Sequence, residues 1–191
     1  MILSKERKKS LIDRISTKSF VVVMGIIFVL TYILSNTLLE SYLMSKTNGN
    51  TFVEANIFYA SEFGNILQAY GEIGRAYYMR IIILFDFIFP LQYGLFFASW
   101  LILLLKKIIN LKWQKVILVL GFVLCLTDWL ENAFILSAIL SFPEMNSVLP
   151  IMAQAMTLAK ATLTILFMIA IFISAAMLSI KKIKEKNKHT A

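Results

Sequence analysis

Seven residues of this chain could carry chemistry, and they lie where charge is costly: Arg75, Asp86 and Tyr93 in GRAYYMRIIILFDFIFPLQY, Asp128, Glu131 and Asn132 in DWLEN, and Lys160 in AMTLAKATLTILFMIA. Insertion scales put a central Asp in a bilayer at about +2.5 to +3.5 kcal/mol, so such groups face a bundle interior or a cavity and mark function by default. Pro90 lacks an N–H, and the carbonyl it leaves without a helical partner belongs to Asp86. A carboxylate and a freed carbonyl therefore meet at one predicted kink. At about 100° per residue, Arg75, Met79, Asp86, Pro90 and Tyr93 share a side of the helix. Arg80 points away from them and is expected to snorkel to the headgroups. Asp128, Glu131 and Asn132 stand at i, i+3 and i+4 and so face one way, with Gly121 below them to permit close helix approach and Ile135 above. Thr157, Lys160 and Thr164 share a face of the last apolar stretch.

Carboxylates, a tyrosine and an ammonium at membrane depth can hold the polar head of a lipid or small amphiphile, or relay protons. Glu131 or Asp86 with Tyr93 could also act as an acid/base pair in isomerisation or proton transfer on a lipid-like substrate, by analogy with carboxylate-dependent sterol-isomerase bundles. The same residues can instead simply join helices through ion pairs and hydrogen bonds. Three acids against one deep lysine leave an imbalance, which calls for a protonated carboxyl, a bond to Tyr93, or a cationic or proton-bearing ligand.

The elements that must position these groups are membrane helices. Of 191 residues, 59% are hydrophobic and 16% charged, with mean hydropathy +0.78; soluble domains carry roughly 25% charged residues. Apolar stretches at about Phe20–Leu39, Ile81–Leu105, Val116–Leu140 and Ile151–Ile180 each reach the ~20 residues a bilayer core requires. The fold expected is an all-α bundle of four transmembrane helices in one domain. It divides into a basic segment 1–18, a first span 20–39, an external segment 40–73, a second span 74–105, a cytoplasmic turn 106–115, a third span 116–140, an external turn 141–150, a fourth span 151–180 and a basic tail 181–191, expected to be disordered. Ser10 is placed to cap a short surface helix. In the external segment Asn48, Gly49 and Asn50 read as a turn, and Thr51 with Glu54 fits a capping box, so an amphipathic helix is expected to start there and lie over the mouth of the bundle or along the outer interface.

The net charge of +8 is a matter of topology. Six of the 19 Lys and Arg fall in residues 1–18, four in Lys106–Lys115 and five in Lys181–Lys188. These are alternate helix ends, so one membrane face collects the cations, and the positive-inside rule places both termini in the cytoplasm of a multi-pass cell-membrane protein. The expected partners are membrane lipids, with a homo-oligomer if the bundle forms a pathway, and no nucleic acid. Cys125 is the only cysteine and His189 the only histidine. No internal disulfide can form, and neither a metal nor a cofactor is expected. Nucleotide-binding, serine-hydrolase and zinc-protease motifs do not occur.

Counting from the helix ends at about 1.5 Å per residue puts Asp86 and Lys160 roughly 30 Å from the cytoplasmic side, Glu131 and Asn132 about 25 Å, and Tyr93 and Asp128 about 20 Å. Two layers result, an outer one of Asp86, Glu131, Asn132 and Lys160, with Asn36 nearby, and a deeper one of Tyr93 and Asp128.

The strings GRAYY, DFIFPLQY and DWLEN resemble, in that order, the G-R-x-x-Y, D-x-x-F-P-x-x-Y and D-x-x-E-N signatures of an uncharacterised group of small bacterial four-span integral membrane proteins. The likeness covers about Phe52 to Ile169, and Lys160 stands where such proteins begin the polar face of the last span. It implies the boundaries and the site without naming a reaction. The functional expectation is a membrane protein with an intramembrane polar site that binds a lipid or small amphiphile. Proton-coupled permeation and an assembly role are the alternatives.

Overall fold

The computed structural model describes residues 10–189; residues 1–9 of the basic leader and the last two of the tail lie outside the described residues. Ser10 caps α1 (Leu11–Ile15): its Oγ accepts from the Asp13 amide at 3.3 Å while the Asp13 carboxylate accepts from the Ser10 amide at 3.1 Å, a reciprocal capping box. Ile12 and Ile15 are buried. Thr17 then caps α2 (Lys18–Ile33) by accepting from the Phe20 amide. This helix runs through a π-helical stretch, Leu34–Leu39, into α3 (Glu40–Lys46), so that Lys18–Lys46 is one continuous span of 29 residues. It stops at Asn48 and Gly49, whose φ angles of +53° and +90° are left-handed. Asn and Gly tolerate that region where bulkier residues do not.

No helix starts at Thr51. Only a 3₁₀ turn, Val53–Ala55, forms, with no side-chain cap, and the Glu54 carboxylate accepts from the Tyr78 hydroxyl further along the chain. The amphipathic helix begins instead at Phe63, as the first part of α4 (Phe63–Leu84), and is broken at Gly71, where φ +63° and ψ −176° admit only glycine. Between Leu84 and Phe89 the chain bends by 44° into α5 (Phe89–Leu105), with Pro90 in the first turn of the new helix, where its missing N–H costs least. Asn110 caps α6 (Leu111–Leu140) by accepting from the Trp113 amide at 3.2 Å. A short turn containing a cis Phe142–Pro143 bond leads to α7 (Val148–His189). The helix continues through the described part of the basic tail to His189 rather than ending at the membrane; Lys and Glu are good helix formers and Lys181 lies 4.0 Å from Glu185 one turn on.

Among the described residues three helices are long and apolar enough to cross a membrane, and there are four such spans if the bent pair α4 and α5 is counted as one. With no strand among the described residues, the protein is an all-α membrane bundle. Its interior has two apolar layers. One, at the end bearing the 47–62 loop, holds Leu43, Val53, Tyr59, Phe63, Tyr78 and Ile135. The other, toward the basic end, holds Tyr93, Phe96, Phe97, Leu101, Leu124 and Phe167. Within the second layer, α5 and α6 touch backbone to backbone: a β-carbon on Gly94 would stand 2.5 Å from the Gly121 carbonyl oxygen, and one on Gly121 would stand 2.6 Å from that of Gly94. Close approach of this kind is how membrane helices gain packing without a hydrophobic driving force.

Gly121→Val is therefore expected to force the two helices apart and lower stability by about 1–3 kcal/mol, the usual cost of overpacking. Thermal unfolding of the detergent-purified protein checks this, and an unchanged midpoint would contradict the contact.

Candidate functional site

On α6 the acids lie between Leu124 of one apolar layer and Ile135 of the other, and on α7 Thr157 and Lys160 lie between Ala153 and Phe167. The polar residues thus form a layer of their own inside the bundle. Asp128 is its junction. Its Oδ2 accepts from the Tyr93 hydroxyl of α5 at 2.5 Å, its Oδ1 accepts from the Asn132 amide at 3.0 Å, and Oδ1 also lies 3.3 Å from the Lys160 ammonium of α7. The same ammonium meets Glu131 Oε2. Glu131 Oε1 accepts from the Thr157 hydroxyl at 2.6 Å, and the Tyr59 hydroxyl stands 3.1 Å from Thr157 Oγ1. Since the Thr157 proton goes to Glu131, Tyr59 is the donor to Thr157; burial pushes its phenol above the ordinary value and keeps that proton in place.

The expected pair of layers is in fact one network. The long stem of Lys160 lets a single charge touch both Asp128 and Glu131. Of the residues singled out from sequence, Tyr93, Asp128, Glu131, Asn132 and Lys160 come together. Asp86 sits at the break between α4 and α5. Its side chain makes no hydrogen bond among the described residues, yet it lies within electrostatic reach of Glu54, Asp128, Lys160 and Glu131. Arg75 serves elsewhere: its guanidinium donates to the Leu67 carbonyl across the Gly71 break at 2.8 Å and lies over the Phe142 ring. Asn36 is exposed and donates to the Tyr32 carbonyl of its own helix. Tyr93 faces Asp128, so a Tyr93 pair with Glu131 or Asp86 does not form.

Three participants come from outside the singled-out set. Thr157 shares the face of Lys160 and could have been counted in from helical spacing alone. Tyr59 and Glu54 come from the loop, which folds back over the layer: Val53 and Tyr59 are buried, and the Ala60 amide donates to Gln154 of α7 at 2.9 Å. Loop residues have no periodicity to reveal them, and Tyr59 reaches its partner across 98 positions.

The layer is closely held. Of its ion-pairing side chains, Lys160 keeps 23% of its surface accessible, Asp128 9% and Glu131 1%. Lys160 is thus the accessible member. Among the described residues no group of three or more His, Cys, Asp or Glu could hold a metal ion. Compared with family models, with curated proteins and with solved structures, the chain matches none of them.

Two consequences can be measured. Lys160→Met strands two buried carboxyls and is expected to cost about 3–5 kcal/mol, the usual result of removing one partner of a buried pair. Adding Asp128→Asn and Glu131→Gln should restore much of the lost folded protein, assayed as monodisperse protein in detergent; a triple variant no better than the single one would count against the pairing. The second concerns pH. Burial, the largest influence, pushes Glu54 above its ordinary value of 4.5, against the opposing pull of Lys160 and the Tyr78 hydroxyl and with a further push from Asp128. The closed loop therefore keeps its proton where the opened loop releases it, so closure is favoured at low pH and weakens as pH rises from about 4.5 through the raised value. Hydrogen exchange over residues 52–60, corrected for intrinsic rate, should show opening grow across that window in the native chain and stay flat in Glu54→Gln. Equal slopes would refute it.

Proposed function

We propose that this multi-pass protein binds a lipid or small amphiphile within the membrane, its buried polar layer receiving a headgroup that is cationic or rich in proton donors. The observation that carries this reading is a count of charges. Asp128 and Glu131 set two carboxyls on the one ammonium of Lys160, with Asp86 and the protonated Glu54 within electrostatic reach. A buried surplus of negative charge needs a proton or an incoming positive group to offset it. Asp86 is the natural point of contact, because it sits where the helix is open and has no bond to give up. In this reading the capped end faces outward, the basic end and both termini lie in the cytoplasm, the membrane is the cell membrane, and the resemblance to the small four-span group is one of common architecture.

A role confined to joining helices is favoured by a different observation, that the network links α5, α6, α7 and the loop with its hydrogen bonds largely satisfied within the protein. One set of variants separates the two. Under the binding reading, Asp86→Asn accumulates and purifies like the native chain but retains less co-purified amphiphile, measured by mass spectrometry of the solvent extract, and Glu131→Gln retains less still. Unchanged amphiphile content in both variants overturns the binding reading. Failure of both to accumulate assigns the residues to assembly.

A further inference from the structure

The first span leaves a gap on the side of the fourth. α2 is pinned to α5 at both ends: near the basic end the Lys106 ammonium donates to the Ser16 carbonyl at 2.7 Å, and toward the capped end the Gln92 amide donates to Thr31 Oγ1 at 3.0 Å. Between these ties a groove of about 750 Å³ opens between α2, α5 and α7, lined by Gly25, Val29, Phe96, Trp100, Thr164 and Met168 among others. That volume falls within the roughly 300–1,000 Å³ of small-molecule sites. The lining named above is apolar apart from Thr164, and the walls climb into the polar layer. On α7, Thr164 lies one turn below Lys160; on α5, Phe97, which also lines the groove, lies one turn below Tyr93, their ring centroids 6.3 Å apart. Both residues overhead belong to the network, and Lys160 is its accessible member.

We infer that this groove is the berth for the alkyl chain of a single-chain amphiphilic amine that enters sideways from the bilayer between the first and fourth spans and carries its ammonium up to Asp128 and Glu131. The inference rests on the reading of the polar layer as a headgroup site and adds the route, the berth and the class of ligand. Chain and head are fixed by separate features. The groove offers the chain little hydrogen bonding, so it takes hydrocarbon. In the layer above, Asp128 and Glu131 set two carboxyls against the one ammonium of Lys160, so it attracts an amine and repels a fatty acid or a phosphate head. The small Gly25 keeps the α2 wall low: a β-carbon there would already stand 3.0 Å from the Phe96 ring.

The test uses dodecylamine bearing a photoactivatable diazirine at the chain terminus, with the full chain in phosphatidylcholine nanodiscs and mass-spectrometric mapping of the label. Saturable label is expected on the peptides around Gly25–Val29, Phe96–Trp100 and Thr164–Met168, displaced by excess dodecylamine and not by dodecanoic acid. Val29→Trp and Met168→Trp, both at exposed positions and so compatible with folding, are expected to lower the saturable label at least fivefold. The conservative pair Asp128→Asn and Glu131→Gln should abolish displacement by the amine. Label spread around the bundle without saturation overturns the inference. Saturable binding that the tryptophans leave untouched but the acid variants remove overturns the berth and keeps the headgroup site. Saturable labelling of the groove that survives in the acid variants, or that dodecanoic acid displaces equally, overturns the choice of an amine and with it the headgroup reading.

Discussion

The bundle depends on the placement of one ammonium group. Lys160 enters the interior from α7 and is held between Asp128 and Glu131 of α6, and neither partner would be tolerated there without it: an ionised carboxyl taken from water into the interior costs several kcal/mol unless paired and hydrogen-bonded. The remaining oxygens are supplied with donors from three directions, Tyr93 of α5, Asn132 of α6 itself, and Thr157 of α7 backed by Tyr59 of the loop. Apart from Asn132, each donor comes from a different element than the acid it serves. The polar layer therefore fixes the rotation of α5, α6 and α7 about their axes, something apolar packing in lipid does weakly because the tails are as apolar as the side chains.

The network is also one-sided. From Tyr59 it runs through Thr157, Glu131, Lys160 and Asp128 to Tyr93, and there it ends, because beyond Tyr93 the bundle is filled by Phe96, Phe97, Leu101, Leu124 and Phe167. A relay of protons or ions needs polar groups or water on both sides of its carboxylates. Below Tyr93 the next buried polar side chain on α5 is Ser99, set among these apolar residues. At the Tyr59 end a loop with buried Val53 and Tyr59 covers the network. Midway along it, Lys160 is the ion-pairing side chain with the most accessible surface.

How much of this the sequence disclosed follows from the physics of each part. The apolar runs were long enough to leave no choice but membrane helices, and the spacing of Asp128, Glu131 and Asn132 on one helix face told which way α6 had to turn. Pro90 marked the bend because a missing N–H is a local property. What sequence misplaced was what depends on contacts distant along the chain. Thr51 and Glu54 carry a valid helix-start pattern, but no helix starts there and the Glu54 carboxylate accepts from the Tyr78 hydroxyl. Arg75 was expected on the same helix side as Asp86 and Tyr93; the broken helix at Gly71 gave it a nearer carbonyl to serve. Depth counting put Lys160 and Asp128 about two turns apart because it followed backbones, and the side chain of a lysine covers much of that distance by itself.

The bend at Asp86 connects these features. A straight helix from Phe63 to Leu105 would carry α5 away from α7 or α4 away from the loop, and the 44° turn allows Tyr78 to meet Glu54 in the capped layer while Tyr93, further along the same chain, meets Asp128. The turn is made in the four residues Phe85–Ile88, flanked by exposed Leu84, Phe87 and Ile88 and steadied by the Trp129 indole, which donates to the Phe87 carbonyl at 3.0 Å. An acidic residue adds nothing to such a bend; a serine or asparagine would satisfy the loosened backbone at lower cost in lipid. The aspartate that stands there lies within electrostatic reach of three other carboxyls, its side chain has no hydrogen bond among the described residues, and helix packing alone leaves it unexplained.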